Sequence, residues 1–84
     1  MEKILIGDKP SISYVLNATD RLKDAQEIEI LARGKNISKA VDVAEMISND
    51  QMPRFKEKIT EIGTDTYKEG DKDRKVSSIR IVLK

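Results

Sequence analysis

The chain has 84 residues, 38% of them hydrophobic and 37% charged, and its net charge is +1. It contains no cysteine and no histidine. That excludes disulfides, thiolate metal sites and cysteine nucleophiles, and it removes the usual proton shuttle of neutral-pH catalysis.

The length predicts one domain over residues 1–84 with a modest core. Domains of this size often gain stability by self-association, so a homodimer is expected. No apolar run approaches the roughly 18 residues of a membrane helix. Glu2 and Lys3 are followed only by Ile4-Leu5-Ile6 before Gly7, which is not a signal-peptide pattern. The expected setting is cytoplasmic, with no membrane partner, no cofactor, no metal and no small-molecule substrate.

Ile4-Leu5-Ile6, ended by Gly7, reads as a buried strand. Pro10 fits the first position of a helix, where its missing N–H costs nothing. Ile12, Val15, Leu16, Thr19 and Leu22 follow at helical spacing, and the helix ends near Lys23-Asp24. Glu27 to Leu31 alternates polar and apolar and reads as a half-buried strand. Arg33-Gly34-Lys35 breaks that pattern, and Asn36 is a candidate N-cap. A second helix carries Ile37, Ala40, Val41, Ala44 and Ile47 on its apolar stripe and stops at Asn49-Asp50 and Pro53. Two strands complete the chain, about Glu57 to Tyr67 and about Arg74 to Leu83. In the second, Ile79, Ile81 and Leu83 share one face and Arg80 takes the other. Lys68 to Asp73 contains no apolar residue and reads as the exposed tip of a long hairpin.

The predicted class is therefore α+β, a two-layer βαβαββ arrangement. It has a four-stranded mixed sheet, two helices on one face and a partly open, more polar opposite face.

Charge is segregated along the chain. Arg33 to Lys39 holds Arg33, Lys35 and Lys39 with no acid, whereas Asp42 to Asp50 holds Asp42, Glu45 and Asp50 with no base. Arg33-Gly34-Lys35-Asn36 sits between a strand and a helix N-terminus, where free N–H groups and a partial positive charge attract anions. Arg33 can grip a phosphate with two hydrogen bonds, and Lys35 adds a point charge. On residue types alone, a tight capped turn with two solvated cations is the slightly favoured reading. Lys9 precedes the first helix and meets Lys35 if both strand–helix loops lie at one sheet edge. The hairpin adds Lys68, Lys72, Arg74 and Lys75 against Glu69, Asp71 and Asp73. It reads either as a solvated loop or as an arm that follows a groove. The three aromatics, Tyr14, Phe55 and Tyr67, do not form a base-stacking row. Asp42 and Glu45 lie one helical turn apart and read as a solvated face rather than a metal pair.

Ile4-Leu5-Ile6-Gly7-Asp8-Lys9-Pro10 with Tyr14-Val15-Leu16 resembles the opening of archaeal Alba chromatin proteins. The segment Ala32 to Asp42 resembles their most distinctive stretch, and Val76 to Ile81 also fits. The resemblance covers nearly the whole chain. It implies a homodimer, not an enzyme, that binds double-stranded DNA and also RNA with little sequence preference and helps to organise and compact chromosomal DNA. It implies backbone contacts from Lys9, Tyr14, Arg33, Lys35 and Asn36, with Lys39 beside them, and hairpin arms along flanking minor grooves. Two departures matter. Asp8-Lys9 stands where many relatives have Lys-Lys, which leaves Lys9 as the candidate acetylation site and puts acetyl control in question. Gln51 stands where relatives often have a large apolar residue that supports dimer stacking. Three alternatives stay open: a dedicated RNA-binding protein, a small phosphohydrolase of the acylphosphatase kind using Arg33 and Asn36, and a protein-interaction module.

Overall fold

In the computed structural model, which describes residues 2–84, six main elements follow one another. They are β1 (Glu2–Leu5), α1 (Ser11–Arg21), β2 (Ile28–Arg33), α2 (Ile37–Met46), β3 (Lys58–Glu69) and β4 (Lys72–Leu83). The sheet order is β1-β2-β4-β3. β1 runs parallel to β2, with Leu5 opposite Leu31, and β4 runs antiparallel to both β2 and β3. The α+β architecture with a mixed sheet and a long final hairpin is as the sequence predicts.

Strand alternation decides what the two faces carry. Ile28, Ile30 and Ala32 of β2 and Ile79, Ile81 and Leu83 of β4 point to the helix side, where they form the core with Val15, Ala18, Leu22, Ala40, Val43, Ala44 and Ile47. Met52 and Phe55 close that core beyond α2. The opposite face has no helix over it. It carries Leu5, Leu31, Arg33 and Arg80, and also Glu29, which is only 6% exposed. Glu29 is partnered there by Arg80 and Lys3, and Arg80 in turn reaches Glu61 at 2.8 Å. This chain of charges crosses all four strands.

Several local expectations are corrected. Pro10 lies just before α1 rather than inside it, and its carbonyl accepts the Ser13 N–H at 3.0 Å. Ile12 and Leu16 are exposed. Val15, Ala18 and Leu22 are the residues that this helix gives to the core instead, and the element α1 approaches most closely is α2. In α2 the buried line includes Val43 and leaves Val41 exposed. After Met46 the helix widens into one π-type turn, Ile47–Gln51, closed by Met52 N–H to the Ile47 carbonyl at 2.7 Å. Leu5, expected in a buried strand, is 71% exposed on the helix-free face.

The hairpin differs most. The expected six-residue tip is a two-residue turn, Gly70-Asp71, between the paired Glu69 and Lys72. Gly70 takes φ +65, and among the described residues no non-glycine has positive φ; glycine at the first central position matches the II′ turns favoured in tight hairpins. β2 pairs with β4 only as far as Ser78. Thr64–Glu69 and Lys72–Ser77 therefore project beyond the sheet body as a two-stranded arm, about 20 Å long at the usual rise per residue. The arm accounts for a longest dimension of 46 Å against 23 and 19 Å for the others.

Candidate nucleic-acid interface

Both helices begin at the same sheet edge, because each follows the C-terminal end of one of two parallel strands. The β1–α1 loop and the β2–α2 turn therefore meet. Lys35 Nζ lies 3.4 Å from Asp8 Oδ1. Lys39 Nζ donates to the carbonyls of Gly7 and Lys9, each at 2.8 Å. The Tyr14 hydroxyl oxygen accepts the N–H of Gly7 at 2.7 Å and of Lys9 at 3.3 Å. The 7–9 loop is thus fastened from below by Tyr14 and from the side by Lys39. Lys9 itself forms no ion pair with any described residue.

The β2–α2 connection is a single 3-10 turn, Gly34–Asn36, entered from extended Arg33. Gly34 has φ +54, and a Cβ there would stand 3.3 Å from Val76 Cγ2. A side chain would meet both backbone strain and a packed neighbour, so glycine suits the position. Asn36 immediately precedes α2 as expected, but its side chain makes no capping hydrogen bond. Its amide is left uncommitted, and it lines a depression on the sheet side.

Arg33 and Lys35 leave the turn in different directions. Arg33 lies on the helix-free face, where its Nε meets Asp65 Oδ2 of β3 at 2.8 Å. Lys35 turns toward the β1–α1 loop and Asp8. Each cation thus carries an intramolecular carboxylate, yet both stay exposed, with side chains 70% and 81% accessible. Lys9, Arg33, Lys35 and Lys39 outnumber Asp8 and Asp65 here, so the edge is positive although the whole chain is nearly neutral.

The hairpin cations do not form one stripe. Pairing sets Tyr67 opposite Arg74, Glu69 opposite Lys72, Lys68 opposite Asp73 and Thr66 opposite Lys75. By alternation Lys72 and Arg74 share one face of the arm, while Lys68 and Lys75 share the other. Arg74 also lies 3.9 Å from Glu69. Such an arm carries positive charge on both sides, each diluted by acids.

The structure brings Lys9, Tyr14, Arg33, Lys35, Asn36 and Lys39 to one edge and leaves Lys68, Lys72, Arg74 and Lys75 out along the arm. Sequence reasoning missed Asp65, which no local pattern ties to Arg33. It also missed the structural use of the Lys39 ammonium, which depends on the loops converging. Among the described residues no group of three His, Cys, Asp or Glu is placed to hold a metal ion, and no helix is long and apolar enough to cross a membrane.

Comparison with known proteins now adds identity to geometry. The Alba family model matches residues 2–67. "DNA/RNA-binding protein Alba" of Methanococcus maripaludis is 41% identical over 83 residues, covering 95% of this chain and 93% of its own. Its namesake from Thermoplasma acidophilum is 41% identical over 81 residues, covering 95% and 91%. The solved structure of Alba from Thermoplasma volcanium superposes with a TM-score of 0.83 at 39% identity and covers 98% of both chains. ALBA1 from Trypanosoma brucei, at 24% identity and a TM-score of 0.62, shares the fold over 98% of this chain and 67% of its own. On the matched family model, the full-length similarity and the shared fold, this chain belongs to the Alba family.

Proposed function

We propose that the protein is a non-enzymatic, architectural DNA-binding protein that grips double-stranded DNA through the sugar–phosphate backbone, with weak sequence preference, and also binds RNA. Such a protein would work on the chromosome in the cytoplasm and help to organise and compact DNA. The observation that carries this reading is the convergence of the two strand–helix loops, with Lys35 3.4 Å from Asp8 and Lys39 on the Gly7 and Lys9 carbonyls. It sets Lys9, Arg33 and Lys35 on one exposed edge beside the N-terminus of α2, a geometry suited to successive phosphates. The relatives named as DNA/RNA-binding proteins support the ligand class.

In this reading Lys9, Arg33 and Lys35 touch phosphates, and the free amide of Asn36 adds a donor. Tyr14 and Lys39 chiefly hold the loop in shape; each also keeps a hydrogen that a phosphate oxygen can take. The arm cations Lys68, Lys72, Arg74 and Lys75 track the flanking backbone. Self-association is supported by exposed apolar residues on the helix side. Val41 of α2 is exposed, and Ile62, 83% exposed, sits on the helix side of the unpaired edge strand β3. The Glu45–Lys58 ion pair at 2.7 Å joins these two elements. A homodimer would double the basic edge. Acetylation of Lys9, which has no ion pair among the described residues, would weaken it.

Arg33→Ala should weaken binding to every duplex about equally in a titration of random and defined sequences. A change in sequence preference without loss of affinity would contradict the backbone grip. A dedicated RNA role is the second reading, since the relatives' names give RNA beside DNA; competition between duplex DNA and structured RNA at equal salt decides it. The acylphosphatase-like reading loses its footing with the Alba family match.

A further inference from the structure

Beside the phosphate-gripping edge, the helix-free face of the sheet holds a depression of about 680 Å³. We infer that it receives one unpaired nucleobase, with guanine the best fit, from an RNA strand whose phosphate is held at Arg33. The inference rests on the nucleic-acid reading above and adds a base site to it.

The shape comes from register. Across three strands Arg33 faces Ser78, which faces Gly63. The two smallest side chains available on that face thus lie side by side. A Cβ on Gly63 would stand 3.3 Å from Ser78 Oγ, so glycine keeps the floor low; glycine inside a strand often marks close approach by a ligand. One wall is the register pair Leu5 and Leu31, and nothing in the fold covers Leu5. The other side carries the Asp65 carboxylate.

The chemistry fits a planar base better than the other candidates. A base needs apolar contact on its face and partners on its edge. Leu5 and Leu31 supply the first. Asp65 supplies a carboxylate that meets Arg33 through Oδ2, and guanine has adjacent N–H donors on its edge for such an acceptor. Arg33 both borders the depression and belongs to the turn, so phosphate and base of one nucleotide can be held together. A base within a duplex cannot enter, because its edge is already paired and its faces are stacked. A second copy of this chain fits less well, since the Arg33–Asp65 and Arg80–Glu61 pairs at the rim would have to be desolvated in a dry interface.

The test compares an RNA stem carrying one bulged guanosine with the same stem fully paired, by fluorescence anisotropy. The wild type should favour the bulged stem about fivefold or more, which corresponds to about 1 kcal/mol. Ser78→Leu fills the depression and Leu5→Ala removes its exposed wall, and each should bring the two stems to parity without changing affinity for the paired stem. Leu5 is 71% exposed, so that variant tests the site without threatening the fold. Equal wild-type affinity for both stems overturns the inference, as does an equal loss on both stems in the variants. A change in sedimentation mass with Leu5→Ala would give the face to a second copy. Failure to bind even the paired stem at low salt would instead remove the nucleic-acid reading beneath it.

Discussion

Asp65→Asn should strengthen binding to a fully paired duplex, although it removes an ion pair. In the free protein Asp65 holds Arg33 at 2.8 Å with both side chains substantially exposed, 42% and 70%. Two unit charges at that distance attract by about 1.5 kcal/mol in bulk water. Salt screening and side-chain freedom bring exposed pairs down to about 0.2–1 kcal/mol. A phosphate arriving at Arg33 must compete with that attraction, and it also feels the nearby carboxylate as a repulsion of similar size. Removing the charge should therefore raise affinity by roughly two- to fivefold per site, and by about the square of that for a dimer using both sites. The assay is anisotropy on one duplex at fixed salt, with circular dichroism to confirm an unchanged fold. Unchanged or weaker binding would refute the idea that Asp65 competes with phosphate for Arg33. Asp8→Asn should act in the same direction but less strongly, because the Lys35–Asp8 pair is longer, at 3.4 Å.

Other consequences concern the scaffold behind the site. Lys39→Met keeps the aliphatic stem but leaves the Gly7 and Lys9 carbonyls without their donor; binding should fall severalfold while the salt slope flattens by no more than about one per subunit, because the main loss is of a positioning group. Gly34→Ala should cost about 1–2 kcal/mol of unfolding free energy in urea, since φ +54 strains an L-residue and Val76 crowds its Cβ. Glu29→Ala should destabilise by about 2 kcal/mol, less than for a fully buried pair because Arg80 is partly solvated. The Glu45 carboxyl is held below its ordinary pKa by hydrogen bonds from Lys58 and Asn49. Its contribution is therefore present above the unfolded pKa and lost as pH falls through the lower folded value. The melting-temperature gap between wild type and Glu45→Gln should be open at neutral pH and close in acid; a gap that widens in acid would reverse the sign.

The element order and the sheet were legible because apolar periodicity and turn chemistry agree along most of the chain. Ile79, Ile81 and Leu83 alternate with Arg80 in the sequence and do so in the sheet. Failures arose where packing chose among equivalent residues. Nothing local distinguishes Ile12 and Leu16, which are exposed, from Val15 and Leu22, which join the core. Glu29 reads as a solvent-side residue until Arg80 and Lys3 are placed beside it. The candidate site shows the same division. Arg33, Gly34, Lys35 and Asn36 could be picked out by type and position, and Lys9 by its place before a helix. What the cations touch could not be, because Asp65 and the Gly7 and Lys9 carbonyls become neighbours only through the tertiary fold. The hairpin tip was overestimated because its polar run looks like loop, although Gly70 alone suffices to turn the chain.

The central claim is that the converged loop edge binds phosphates. The direct measurement is the slope of log K against log salt for wild type and for the Arg33→Ala, Lys35→Ala double variant on one duplex. Lys9, Arg33 and Lys35 on two subunits predict about six neutralised phosphates and a slope of roughly −5 for this edge. The double variant should flatten the measured slope by about 3 to 4. A slope left unchanged, with affinity lost or kept, would contradict the account.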